Sequence, residues 1–192
     1  MFDFLRAFVR DPVTIGAIAP SGRELADLTV TSAEIRPGHT VVELGAGTGP
    51  MTESLLRLHA DVPLLVLEPT HALAASLRTR FPSAKVCERY AQDLPALVQE
   101  WGHPVVDRVV SSLPWAIWPP VLQNEIFDAI HRVMAPDGRL VSFSYVHARA
   151  LPAASRFRAT LESRFRTVHT TRVAWRNLPP AYVLVCDGPI SR

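Results

Sequence analysis

"VVELGAGTGPMTESLL", residues 41–56, is the stretch whose reading decides the fold. An apolar run from Val41 to Leu44 has the length of a buried strand and carries one acid, Glu43. Gly45, Gly47 and Gly49 then alternate with Ala46 and Thr48. Pro50 opens a helical pattern to His59, at a position where the missing N–H of proline costs nothing. Strand, glycine turn and helix in that order place the turn at a strand's carboxyl end, where α/β proteins bind ligands. The unusual feature is the acid just before the turn.

Working outward, the same alternation repeats. Strands are expected at Val62–Leu67, Ala84–Cys87, Val105–Val110 and Leu140–Tyr145, the last entered through an Asp137-Gly138 turn. Helices are expected at Thr70–Arg80, Leu94–Trp101, Pro120–Met134 and Ala153–Phe165. Thr167–Ala174 and Ala181–Cys186 read as a closing antiparallel pair. Short apolar strands separated by helices imply a mostly parallel sheet covered on both faces. The expectation is an α/β fold: a three-layer Rossmann-like sheet, mostly parallel, with a C-terminal antiparallel hairpin. N-terminal helices precede it, so the chain divides into an extension at 1–36 and the main domain at 37–192. Ser21 to Glu24 has the spacing of a capping box, which places a helix start at Ser21.

The chain has 192 residues, enough for one domain with a substantial core. Hydrophobic residues make up 48% and charged residues 20%, with a net charge of +2, so neither disorder nor a strong nucleic-acid signal is indicated. Lys85 is the only lysine, which leaves almost no room for Schiff-base chemistry. Cys87 and Cys186 lack metal-binding or CxxC spacing and read as small buried hydrophobes in a reducing compartment. The seven histidines form no metal-ligand pattern, so no metal is expected. No signal peptide or membrane-spanning stretch is visible, and a cytoplasmic location follows.

Which ligand wants an acid before a glycine turn? A dinucleotide site would read G-x-G-x-x-G, but here the spacing is G-x-G-x-G and Pro50 stands where a further glycine would be needed. Glu43 would also repel a pyrophosphate arriving at the helix N-terminus. It suits a cation. S-adenosylmethionine carries a sulfonium and an α-ammonium and no phosphate, which makes it the expected cofactor. Glu68, followed by Pro69, closes the second strand about 20 residues on, where a carboxylate accepts hydrogen bonds from ribose hydroxyls. After the third strand, Tyr90, Ala91, Gln92 and Asp93 are candidates for the adenine environment, Asp93 doubling as a helix cap. "SSLPWAIWPP", residues 111–120, sets Trp115 and Trp118 among prolines beyond the fourth strand. They read as an aromatic wall for a cationic or amine group, with core packing the competing role, more so for Trp118. Tyr145 and His147 follow the fifth strand; Tyr145 is the candidate for orienting the acceptor.

These residues resemble class I S-adenosylmethionine-dependent methyltransferases. Within that class the chain is similar to bacterial phospholipid N-methyltransferases, which are themselves similar to rRNA adenine dimethyltransferases. The stretches "FLRAFVRDPVTIGAIAPSG" (4–22), "VVELGAGTGPMTESLL" (41–56), "SSLPWAIWPP" (111–120) and "WRNLPPAYV" (175–183) carry the likeness. The resemblance implies successive methylation of the phosphatidylethanolamine amine. By position it makes Glu43, Gly45, Ala46, Gly47, Thr48, Gly49, Glu68 and Pro69 cofactor residues, with Tyr90, Ala91 and Gln92 at the adenine. It sets Ser111 to Pro114, Leu113 included, along the reaction centre, beside Trp115. It also implies that the segment holding Ser21 closes over the methionine end. The chain departs from the family at Tyr90, where an acidic residue is expected.

Residues 1–10, "MFDFLRAFVR", read as an amphipathic helix: at 100° per residue the apolar side chains share one roughly 160° arc. Such a helix lies at an anionic membrane surface or packs as a lid. The function expected is therefore phospholipid amine methylation by a peripheral enzyme on the inner membrane face. The alternatives are a soluble enzyme methylating a hydrophobic small molecule and a non-catalytic protein of the same fold. No basic stripe speaks for RNA.

Overall fold

The computed structural model describes residues 22–190. The expected amphipathic helix at 1–10 and Ser21 lie outside these residues. Seven strands form one sheet: β1 (Val41–Leu44), β2 (Leu64–Leu67), β3 (Lys85–Cys87), β4 (Val106–Ser111), β5 (Met134–Tyr145), β6 (Phe165–Ala174) and β7 (Ala181–Pro189). Their spatial order is β3-β2-β1-β4-β5-β7-β6. The first five are mutually parallel, and β7 is antiparallel to both β5 and β6. The order reverses between β1 and β4, which opens a crevice at their carboxyl ends.

Helices α1 (Arg23–Ser32), α2 (Pro50–Leu58), α3 (His71–Arg80), α4 (Leu94–Trp101), α5 (Pro120–Val133) and α6 (Pro152–Arg164) cover the sheet. Because successive strand side chains point to opposite faces, each buried strand feeds two cores. Val42, Leu44, Leu65 and Leu67 pack with Leu97 of α4, Phe127 of α5 and Leu161 of α6. Val41, Val66, Val110 and Val183 pack with Leu25 and Val30 of α1, Leu55 of α2 and Leu77 of α3. The first helix is thus part of the domain's own second core. The boundary expected at residue 36 does not separate it from the rest.

Two local expectations change. Helix α1 is capped at Gly22, and the Glu24 carboxylate accepts the backbone N–H of Arg176 at 2.9 Å instead of closing a capping box. β5 begins at Met134 rather than Leu140, so the Asp137-Gly138 turn lies inside it. Val106 pairs with Met134 and Arg108 with Arg139, so the β5 residues between those pairings outnumber their β4 counterparts and bulge out at that turn.

Candidate active site

A cavity of about 330 Å³ opens at the carboxyl ends of β1, β2, β3 and β4. Its wall is built loop by loop: Gly45 and Gly47 after β1, Glu68 and Pro69 after β2, Tyr90, Ala91 and Gln92 after β3, and Leu113 after β4. These eight were all expected from the sequence. Thr70, Leu73, Arg89, Ser112, Trp118 and Ile126 also line it and were not assigned a cofactor role. Ile126 follows the apolar spacing of α5, which shows burial and not that the buried face meets a cavity.

The glycine turn has left-handed backbone at Gly45, Gly47 and Gly49, with φ of 74°, 57° and 90°. At Gly45 a β-carbon would stand 2.7 Å from Leu113 Cδ2, so glycine there lets the β4 loop close against the turn. At Gly47 a β-carbon would meet nothing within 4 Å, because that position faces the open cavity. Glu68 fixes this geometry: one carboxylate oxygen accepts the Gly47 N–H at 2.8 Å and the other the Thr70 N–H at 2.9 Å. Ala46 is buried in the core, Thr48 is exposed and gives its carbonyl to Arg80, and Gly49 caps α2. None of those three faces the cavity.

Glu43 is fully buried, on the α2 side of β1, and does not line the cavity. Its Oε2 accepts the Thr52 hydroxyl at 2.6 Å, while Oε1 has no hydrogen-bond partner among the described residues. Burial pushes its pKa up to about 7; the Thr52 bond opposes that rise and the nearby Glu68 adds to it. A buried carboxyl with an unmatched oxygen is one that a nearby positive charge would stabilise.

The two tryptophans exchange their expected weights. Trp118 lines the cavity. Trp115 does not: it is 2% exposed, stacks on Phe127 (4.6 Å between ring centroids) and Phe157 (5.6 Å), and donates its indole N–H to Ser111 Oγ at 3.0 Å. Ser111 is therefore the anchor of the β4 loop, and its neighbour Ser112 is the one at the cavity wall. Gln123 holds the same loop by donating to the carbonyls of Trp115 and Trp118 at 2.8 and 3.0 Å. A glutamine on the apolar face of a helix was the available signal for it, since a buried amide needs partners.

Tyr145 ends β5 outside the cavity lining, with its ring 5.7 Å from His147 in a stacked arrangement. Its hydroxyl is buried without a hydrogen-bond partner among the described residues, and burial pushes its pKa up to about 12. Asp93 is exposed and makes no side-chain cap. Among the described residues no group of three His, Cys, Asp or Glu side chains is placed to hold a metal.

No family model matches the chain. An ornithine lipid N-methyltransferase from Singulisphaera acidiphila is 34% identical over 194 residues, which covers 97% of this chain and 95% of that protein. The chain belongs to the class I S-adenosylmethionine-dependent methyltransferases. A probable ribosomal RNA small subunit methyltransferase A from Methanosarcina mazei is 42% identical over 91 residues, covering 47% of this chain and 31% of that one. Among solved structures, a SAM-dependent O-methyltransferase from Thermotoga maritima superposes with a TM-score of 0.64 at 11% identity, over 96% of this chain and 72% of that one.

The methyltransferase site fits S-adenosylmethionine on its own features. Gly47 leaves room where any side chain would intrude, the cavity wall is largely apolar around the Glu68 carboxylate, and Glu43 behind the turn keeps one buried oxygen unmatched among the described residues.

Proposed function

We propose that the chain methylates a lipid-borne amine, of the phosphatidylethanolamine or ornithine-lipid type, at a membrane surface. The near full-length likeness to a lipid N-methyltransferase carries this reading. S-adenosylmethionine supplies an activated methyl group; what the chain does is position, desolvate and shield. Glu68, already set by two backbone N–H groups, has lone pairs left for the ribose hydroxyls. Tyr90, Ala91 and Gln92 flank the adenine, and Glu43 offsets the positive amino-acid end from behind the turn. Ser112, Leu113 and Pro114, with Trp118, form the wall along which the acceptor amine approaches.

The acceptor nitrogen must arrive uncharged, and apolar surroundings disfavour its ammonium form. Tyr145 keeps its proton at neutral pH, since its pKa is pushed up to about 12. It therefore does not act as a base, and its hydroxyl, buried outside the cavity lining, is not the group that orients the amine. Alignment of nucleophile and methyl is the main source of acceleration.

The test is direct. The chain is incubated with donor labelled in the methyl group and with vesicles containing phosphatidylethanolamine, ornithine lipid, or neither. Label in the organic phase, dependent on the amine lipid, is the expected result. Label confined to water-soluble acceptors or to RNA would replace the lipid reading.

A further inference from the structure

We propose that the carboxyl edge of the sheet around the β6–β7 loop and the start of α6 is a docking face for an anionic lipid bilayer. The inference rests on the lipid reading above and adds where the membrane lies. Because β4, β5 and β6 all run the same way, the loops that follow them leave the sheet at the edge where the cofactor cavity opens. Large apolar side chains stand in water on those loops: Trp175 is 67% exposed and Leu178 78%, both between β6 and β7. Leu151 before α6 and Ile117 after β4 are each 52% exposed. A tryptophan with aliphatic neighbours on the same edge as the cavity opening suits the interface of a bilayer, where the ring sits at headgroup level.

The charge follows the same geography. Between Val146 and Pro180 the sequence has seven arginines and a single acid, Glu162; Arg164 and Arg166 lie where α6 meets the start of β6, at the opposite edge, and the other five belong to the turn after β5, to α6, to the later half of β6 and to the β6–β7 loop. Arg149, Arg156 and Arg176 are exposed, and no carboxylate pairs with their side chains among the described residues. A face of this sign repels a second copy of itself and attracts anionic headgroups. Gly22 donates its N–H to Asn177 Oδ1 at 2.8 Å, which ties the residue before α1 to the β6–β7 loop. Among the described residues no helix is long and apolar enough to cross a membrane, and the contact made by this face is peripheral.

The test uses the full chain, vesicles of phosphatidylcholine with and without phosphatidylglycerol, and two double variants: Trp175→Ser with Leu178→Ser, and Arg149→Gln with Arg176→Gln. Each is expected to lower the fraction sedimenting with phosphatidylglycerol vesicles by roughly tenfold or more. The arginine variant should also flatten the salt dependence, while the melting temperature and donor affinity stay those of the parent. Unchanged sedimentation of both variants overturns the proposal, as does equal parent binding to neutral vesicles or preferential binding to structured RNA. The outcomes separate the two readings. Lipid methylation with unaltered vesicle binding by the variants removes this face and keeps the acceptor. Lost vesicle binding with no label reaching lipid keeps the face and removes the acceptor.

Discussion

The ends of β1 and β2 each present an acid to the same turn, and the two are treated in opposite ways. Glu68 is held: a backbone amide from a different loop meets each of its two oxygens, with acceptor capacity left over. Glu43 is starved: it is wholly buried, with one hydroxyl donor for two oxygens. The first arrangement stabilises the apo fold and pre-sets a cradle. The second destabilises it and keeps a charge deficit for a cationic ligand to fill.

Three experiments sharpen or break that contrast, the largest effect first. Gly47→Val puts a branched side chain at φ 57° into the cavity beside Glu68, and calorimetry should find no S-adenosylmethionine binding to the folded variant. Retained affinity would mean that the ligand does not pass that point.

Glu43→Gln tests the starved acid. Its folded pKa of about 7 lies above the ordinary carboxylate value of 4.5, so the native state holds the proton more tightly than the unfolded chain. Stability without ligand is then unpenalised below pH 4.5 and falls as pH rises towards and through 7. The loss is on the order of 3 kcal/mol. The glutamine variant should melt higher than the parent at pH 8, match it near pH 4.5, and bind the donor more weakly. Parallel melting curves for the two proteins across that range would show that Glu43 is not strained.

Glu68→Ala has the smallest expected effect. Donor affinity should fall by about 1–3 kcal/mol, roughly ten- to a hundredfold, through lost ribose hydrogen bonds. The fold should persist, since water can reach the freed amides through the open cavity. Unchanged affinity would show that the ribose lies elsewhere.

The held acid and the cradle were legible in the sequence because local rules set them. A G-x-G-x-G turn between strand and helix, with a second acid about 20 residues on, fixes both position and chemistry without knowledge of distant contacts. The mostly parallel sheet with its closing antiparallel pair followed from the same alternation, though the spatial order of the strands did not. What failed to show were choices between neighbours. Trp115 and Trp118 sit three residues apart in one proline-bounded loop, and the rings of Phe127 and Phe157, from helices later in the chain, hold Trp115 in the core while Trp118 faces the cavity. Ser111 and Ser112 differ in the same way, through one bond from an indole. The basic face escaped notice because Arg149, Arg156 and Arg176 stand in the turn after β5, the first turns of α6 and the β6–β7 loop, and come to one edge only once β5 and β6 run in parallel.

The Trp115 stack has a mechanical consequence. The strip of chain that borders the methyl-transfer point is bolted to α5 through Phe127 and to α6 through Phe157, so these parts shift together or not at all. A change in α6 that moves Phe157 would repack Trp115 and with it the loop that borders the cavity. Tuning for a new acceptor can begin far from the chemistry.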